Sequence, residues 1–322
     1  MIWVRRANAR HHDRRRKRDV WRTFDLRDRA PAFADGFGAL ETLDENRLPP
    51  GAELPRYEHD AAEIVTYVRE GTIACMDSTG HSGVIHAGEF ERMTASRGVW
   101  HSETNISRAD WAHVFQIRLH GSDSTRELAR EHKRFSTAER RGVLRVVASP
   151  DVRAGSLRLH EDTRLYSTIL EPGQHVVHEL APSRAAWLHV VLGEVTLRDL
   201  ALTAGDGAGL AAERAVSVTA RQPSEILLCD LASSIEADLE SRINARCVAL
   251  VRTLEQLETD TRGDVAAARA TLTGTLSELE RIIQERLGGG WASLADQVRI
   301  DLEHWLAESA SQLEVSMKDR LS

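Results

Sequence analysis

The sequence predicts a mainly β protein, two small antiparallel barrels in tandem followed by an α-helical extension, and three observations carry that reading. The first is punctuation. Up to residue 232, short runs rich in Val, Ile, Leu and Thr alternate with Gly, Pro and Asp, as in "VLRVVASPD" and "EILLCDL", the pattern of short strands joined by turns. The second is an internal repeat. "PPG" ending at Gly51 matches "EPG" ending at Gly173, and "YVREGTI" around Gly71 matches "HVVLGEV" around Gly193, both at an offset of 122. "HAGEF" around Gly88 matches "TAGDG" around Gly205 at an offset of 117, so one barrel-forming unit occurs twice. The third is a change of texture at Ser233. All eight prolines lie at or before Pro223, and beyond it apolar residues recur at helical spacing.

These signals divide the chain into a first barrel over 1–120, a linker over 121–142, a second barrel over 143–232 and a helical extension over 233–322. Within the extension, Ile235, Leu239, Ile243, Leu250, Leu254 and Leu257 form one apolar series, with a break expected near Gly263. Leu272, Leu276, Leu279, Ile282, Ile283 and Leu287 form a second, stopped by Gly288 to Gly290, and a third runs from Trp291 to Leu321. Helices of this kind pack as a hairpin or small bundle, or associate as a coiled coil with a partner or a second copy.

Composition narrows the function classes. With 322 residues and 42% hydrophobic content the chain can bury a sizeable core. No apolar run approaches the ~18 residues of a spanning helix, and "MIWVRRANARHHDRRRKRD" lacks the apolar centre of a signal peptide, so a cytoplasmic protein with no membrane partner is expected. Cys75, Cys229 and Cys247 are odd in number and widely spaced, which fits reduced thiols. The net charge of −7 hides an asymmetry: residues 1–30 carry eleven Arg and Lys against four Asp, whereas residues 233–322 carry ten basic against sixteen acidic. The run Arg14 to Arg18 has the charge to meet phosphates, but no nucleic-acid motif or basic-aromatic interleaving accompanies it, so nucleic acid is not an expected partner.

Chemistry gathers in the first copy. Tyr57 and His59 are two residues apart, and so are His101 and Glu103 in "GVWHSET". Residues i and i+2 of a strand share a face, so each pair can project into one barrel interior. Inward histidines and a carboxylate are costly to bury without a cation, and two His with one Glu is the composition of the facial triad that binds non-heme Fe(II). At the repeat offsets the second copy has Glu179, Ala181, Val218 and Ala220 instead, which predicts no metal site there and a surface or packing role for His175, His178 and His189.

At these residues the chain resembles the pirin family of bicupins, which includes quercetin 2,3-dioxygenase-like proteins. The resemblance runs from "MIWVRRAN" and "DVWRTFD" through "GFGALETLDENRLPPGAE", "EIVTYVREG", "DSTG" and "AGEFERMTASRGVWHSETN" to "LHVVLGEV" and "GDGAG" in the second copy. It implies two cupin barrels face to face with one mononuclear metal in the first, usually iron, other divalent metals also suiting the ligand types. The implied His-x-His and His-Ser-Glu ligands fall on Tyr57, His59, His101 and Glu103, so a tyrosine stands at the first position. A phenol, with a pKa near ~10, ligates after losing its proton to the metal. The implied reaction is oxidative opening of a flavonol-like aromatic substrate by O₂, with Glu103 as the base that takes the substrate proton. The family also implies an alternative of another class, a non-enzymatic partner-binding or redox-sensing regulator.

Overall fold

A computed structural model describes residues 2–15, 18–24, 36–54, 57–59, 62–95, 99–120, 128–182 and 184–232. The expected helical extension, 233–322, with Cys247 and the break near Gly263, lies outside the described residues.

Two pairs of sheets, antiparallel except where Arg145–Ser149 meets Leu157–Arg158, account for the repeat. In the first half, a seven-stranded sheet runs in the order Ala129–Arg134, Glu89–Ala95, Ala62–Glu70, Ala112–His120, Leu40–Leu48, Arg18–Arg22 and His11–Arg15. A four-stranded sheet of Tyr57–His59, Val99–Asn105, Thr72–Asp77 and Ser82–His86 closes over it. The second half repeats this with Arg184–Leu192 and Ser224–Ala232 central to its large sheet, and His175–Glu179, Ala215–Ala220, Glu194–Leu197 and Leu200–Thr203 forming the small one.

The repeat-matched glycines show why the two copies fold alike. Gly71 and Gly193, which each end a long central strand, have φ of 83° and 81°. A Cβ on Gly71 would lie 2.8 Å from Ala112 Cα, and one on Gly193 would lie 2.3 Å from the Pro223 carbonyl oxygen. Both positions therefore demand glycine for conformation and for space.

The large sheets pack against each other, and this explains the least strand-like feature of the sequence. Along Ala112–His120, Phe115, Ile117 and Leu119 join Val65, Tyr67 and Phe90 in one cluster with Trp187, Leu227, Cys229 and Leu231 of the second half. Val114 instead packs inside the first barrel with Leu48, Val68, Ile73 and Ile85, and the second barrel has its own core around Leu188, Val190, Val195, Val218 and Leu228. Strands buried on both faces read as continuous apolar runs, which is why "EIVTYV" and "AAWLHVV" show little alternation.

Polar groups cross this interface in pairs. Tyr67 donates its hydroxyl to Glu225 Oε1, and Arg140 Nη1 reaches Glu225 Oε1 at 2.9 Å, Tyr67 Oη at 2.9 Å and Ser167 Oγ at 3.2 Å. Nearby, Arg10 pairs with Glu45 at 2.8 Å, and Glu45 also meets His113 Nε2 at 2.9 Å. His189 packs edge-on to Phe115 in this layer, fully buried.

Two segments depart from the expected partition. Ile2–Arg5 pairs with Gly207–Ala211 of the second barrel, and Asp206 fastens it by accepting from Arg6 Nη1 at 2.9 Å and from the Ala7 amide at 2.7 Å. The span read as a linker holds the strand Ala129–Arg134, which pairs with Glu89–Ala95, and the four-residue helix Thr137–Arg140 capped by Ser136. Its sequence "AREHKR" is charged on both faces, as suits a sheet edge, and so gives no apolar strand signal. Among the described residues no helix is long and apolar enough to cross a membrane. Cys75 and Cys229 are buried free thiols.

Candidate metal centre

Val99–Asn105 lies between Tyr57–His59 and Thr72–Asp77 in the small sheet, and its alternate residues His101, Glu103 and Asn105 are buried. The facing strand buries Ile73, Cys75 and Asp77. The register sets His101 opposite Asp77 and Glu103 opposite Cys75. On the other side it sets Tyr57 opposite His101, and His59 opposite Val99.

The structure brings His101 and Glu103 together, with Nε2 of one 3.8 Å from Oε1 of the other. Thr66, from the large sheet, donates its hydroxyl to Glu103 Oε1 at 3.0 Å. Glu103 Oε2 is buried and accepts no hydrogen bond. Tyr57 and His59 are placed by backbone register, and their side chains lie outside the described residues. Among the described residues no three His, Cys, Asp or Glu side chains are close enough together to hold a metal ion.

Burial dominates the electrostatics. It pushes the Glu103 carboxyl up to about 7, against the opposing hydrogen bond of Thr66. His101 is pushed down to about 4, first by burial and then by the Arg130 guanidinium. At neutral pH the imidazole is thus neutral with a lone pair to give, and the carboxyl is poised to ionise. An orphaned buried carboxylate oxygen beside a neutral imidazole fits a divalent cation, because each is a ligand atom in the form a metal requires.

Sequence reasoning missed the surrounding groups. Arg130, in the edge strand, donates Nε to Asp77 Oδ2 at 2.9 Å and Nη1 to Glu91 Oε1 at 2.5 Å. Cys75 Sγ is 3.7 Å from Glu91 Oε2, and burial with the Glu91 charge pushes its thiol up to about 12, so it is a closed thiol rather than a nucleophile. The i+2 spacing from Cys75 is the signal that could have found Asp77, whereas nothing local marks Arg130.

Two barrels with their large sheets face to face, and an inward His-x-Glu pair on the first one's small sheet, define a bicupin. The sequence comparisons narrow this further: residues 4–119 match the family model described as Pirin, and residues 146–231 match the one described as Quercetinase C-terminal cupin domain. The chain belongs to the pirin family. It is 35% identical over 231 residues to quercetin 2,3-dioxygenase of Escherichia coli K12, covering 72% of this chain and 99% of that one. It is also similar to the crystal structure of YhhW from Escherichia coli, at 35% identity and a TM-score of 0.68 over 73% of this chain and 99% of that one. The structure of the bacterial pirin YhhW from Escherichia coli in complex with nickel(II) gives 35% identity and a TM-score of 0.67, over 73% of this chain and 100% of that one.

Proposed function

We propose that the protein is a metal-dependent oxidoreductase of the quercetin 2,3-dioxygenase type, its site formed by Tyr57, His59, His101 and Glu103 in the first barrel. The observation that carries this reading is the unpartnered Glu103 Oε2 beside the neutral His101 imidazole. Support comes from the 35% identical quercetin 2,3-dioxygenase, and the nickel complex of the Escherichia coli pirin supports a divalent ion. Iron(II) is our choice for this chain, since two histidines and a carboxylate are the donor set of mononuclear non-heme iron sites.

A bound divalent metal supplies Lewis-acid polarisation and open coordination positions. The residues do the rest. His101 stays neutral and donates its lone pair, because burial and the Arg130 charge oppose its protonation. Thr66 fixes the rotation of the Glu103 carboxylate by holding Oε1, leaving Oε2 for the cation. Swung off the metal, the Glu103 carboxylate is the base that takes the 3-hydroxyl proton of a flavonol, since a base must reach the proton it removes.

The test is metal content per chain after iron-replete expression, with oxygen uptake on a flavonol panel. Alanine at His59, His101 or Glu103 should each empty the site, while His175→Ala, at an exposed residue bonded to Ser217, should leave it full. Metal undiminished in His101→Ala would overturn the site. Full metal with no oxygen uptake on any flavonol would replace the enzyme with the partner-binding alternative.

A further inference from the structure

Arg130 stands out among the buried charged groups, because the proposed reaction draws only on its charge and not on its hydrogen-bond donors. It comes from the edge strand of the large sheet, and its side chain is 8% exposed. Its two partners bracket the candidate centre. Asp77 is the cross-strand neighbour of His101, and Glu91 is the cross-strand neighbour of Thr66, which holds Glu103. The guanidinium therefore joins Thr72–Asp77, the neighbour of the strand that carries His101 and Glu103, to Glu89–Ala95, the neighbour of the strand that carries Thr66. Its charge is felt by both His101 and Glu103.

An ion-pair strut closing the barrel edge would use Nε and Nη1 alone. Arg130 Nη2 is buried too, and has no hydrogen-bond partner. Leaving a charged donor buried and unpaired is costly, and an acceptor that arrives with a ligand is one way to satisfy it. Asp77 does not supply it: its Oδ1 accepts from the Thr79 amide and hydroxyl, and its Oδ2 accepts from Nε rather than Nη2.

We propose, building on the function above, that Arg130 is a specificity-determining residue whose free Nη2 recognises an anionic oxygen of the substrate, so that the site selects aromatic enolates and phenolates over neutral aromatics. A guanidinium suits this role because it keeps its charge at any working pH and its planar fork is fixed in orientation by two carboxylates. Arg118 adds a second cationic side chain close enough to act on His101. Its Nε is paired with Glu41 at 3.0 Å.

The experiment compares iron-loaded wild type with Arg130→Gln, Arg130→Lys and the charge-balanced double variant Arg130→Gln/Glu91→Gln. Each is titrated anaerobically with 3-hydroxyflavone and with its 3-methyl ether, following the red-shifted absorption of the bound anion, and metal per chain is measured on the same samples. Wild type should bind 3-hydroxyflavone as the anion. Both Gln variants should weaken that binding about tenfold or more with the ether unaffected, and Lys should recover part of the loss. Equal affinity and an equal anion band in a metal-replete Gln variant would overturn the proposal. If Arg130→Gln misfolds, the double variant decides. Metal lost from both would make Arg130 a support of the ligand frame, and would overturn it as well. A wild type that takes up no metal would instead remove the proposed function, and this inference with it.

Discussion

Tyr67 of the first barrel donates its hydroxyl to Glu225 of the second, across 158 residues of sequence, and the same carboxylate is held by Arg140 and by Arg69 Nε at 3.2 Å. One buried glutamate thus gathers a phenol and two guanidinium groups at the junction of the two large sheets. Burial and the Glu225 charge push the Tyr67 phenol well above its ordinary range, so it remains a donor at every physiological pH.

Removing one member of this group should cost according to what it strands. Tyr67→Phe deletes a donor and should lower stability by about 1–3 kcal/mol. Glu225→Ala leaves Arg140 buried without a counter-charge and should cost about 3–5 kcal/mol. Urea unfolding curves check the order, and an alanine variant as stable as the phenylalanine one would contradict it.

His189 supplies an acid-sensitive element. Burial first, then the Arg10 charge, push it down to about 3 from 6.5, so the folded state binds its proton less readily than the unfolded chain. Its contribution is fully present above about 6.5 and is lost as pH falls toward 3. Glu45, pushed down to about 2 despite its burial by His113 and Arg10, begins to cost stability only below 4.5. Replacing His189 with Leu should therefore flatten the stability profile between pH 6.5 and 4.5, as read from thermal unfolding at a series of pH values.

Glu103 has the opposite sign. Its carboxyl is raised from 4.5 to about 7, so the folded state holds the proton more tightly, and metal-free protein should lose stability as pH rises through that window. Above it, metal-free Glu103→Gln should exceed wild type by on the order of 3 kcal/mol, with the difference vanishing below 4.5. Metal should reverse the ranking, because only the carboxylate is a good ligand. Calorimetry with and without chelator measures both.

Two glycines of the second barrel separate conformation from crowding. Gly173 has φ of 82° and nothing within 4 Å of the place a Cβ would take, so Gly173→Ala should cost about 1–2 kcal/mol of backbone strain alone. Gly193→Ala adds a clash with the Pro223 carbonyl and should cost several-fold more or prevent folding. Similar unfolding midpoints for the two would show that the turn relaxes freely.

The shared facing of His101 and Glu103 was legible because it is local. His101 and Glu103 are two residues apart on one strand, a spacing that transmits a shared face directly from sequence to structure. The repeat was legible through positive-φ glycines, which cannot be exchanged without strain. What escaped notice is non-local or shaped by two-sided burial. Arg130 lies in a charged stretch that reads as a linker, and only the sheet pairing carries it to Asp77. The Tyr67 strand is apolar on both faces, so its sequence does not reveal which side chains meet the second barrel. His189, expected as surface or packing, is packed wholly within the interface.

The pairing of Ile2–Arg5 with Gly207–Ala211 makes the order of synthesis differ from the order of assembly. Ile2–Arg5 completes the sheet of the barrel that follows later in the chain, and it has no strand partner until some two hundred more residues have been made. During that interval the leading strand is an open edge on the nascent chain. A bulky N-terminal fusion would then impair the second barrel rather than the first, although the first is its neighbour in sequence.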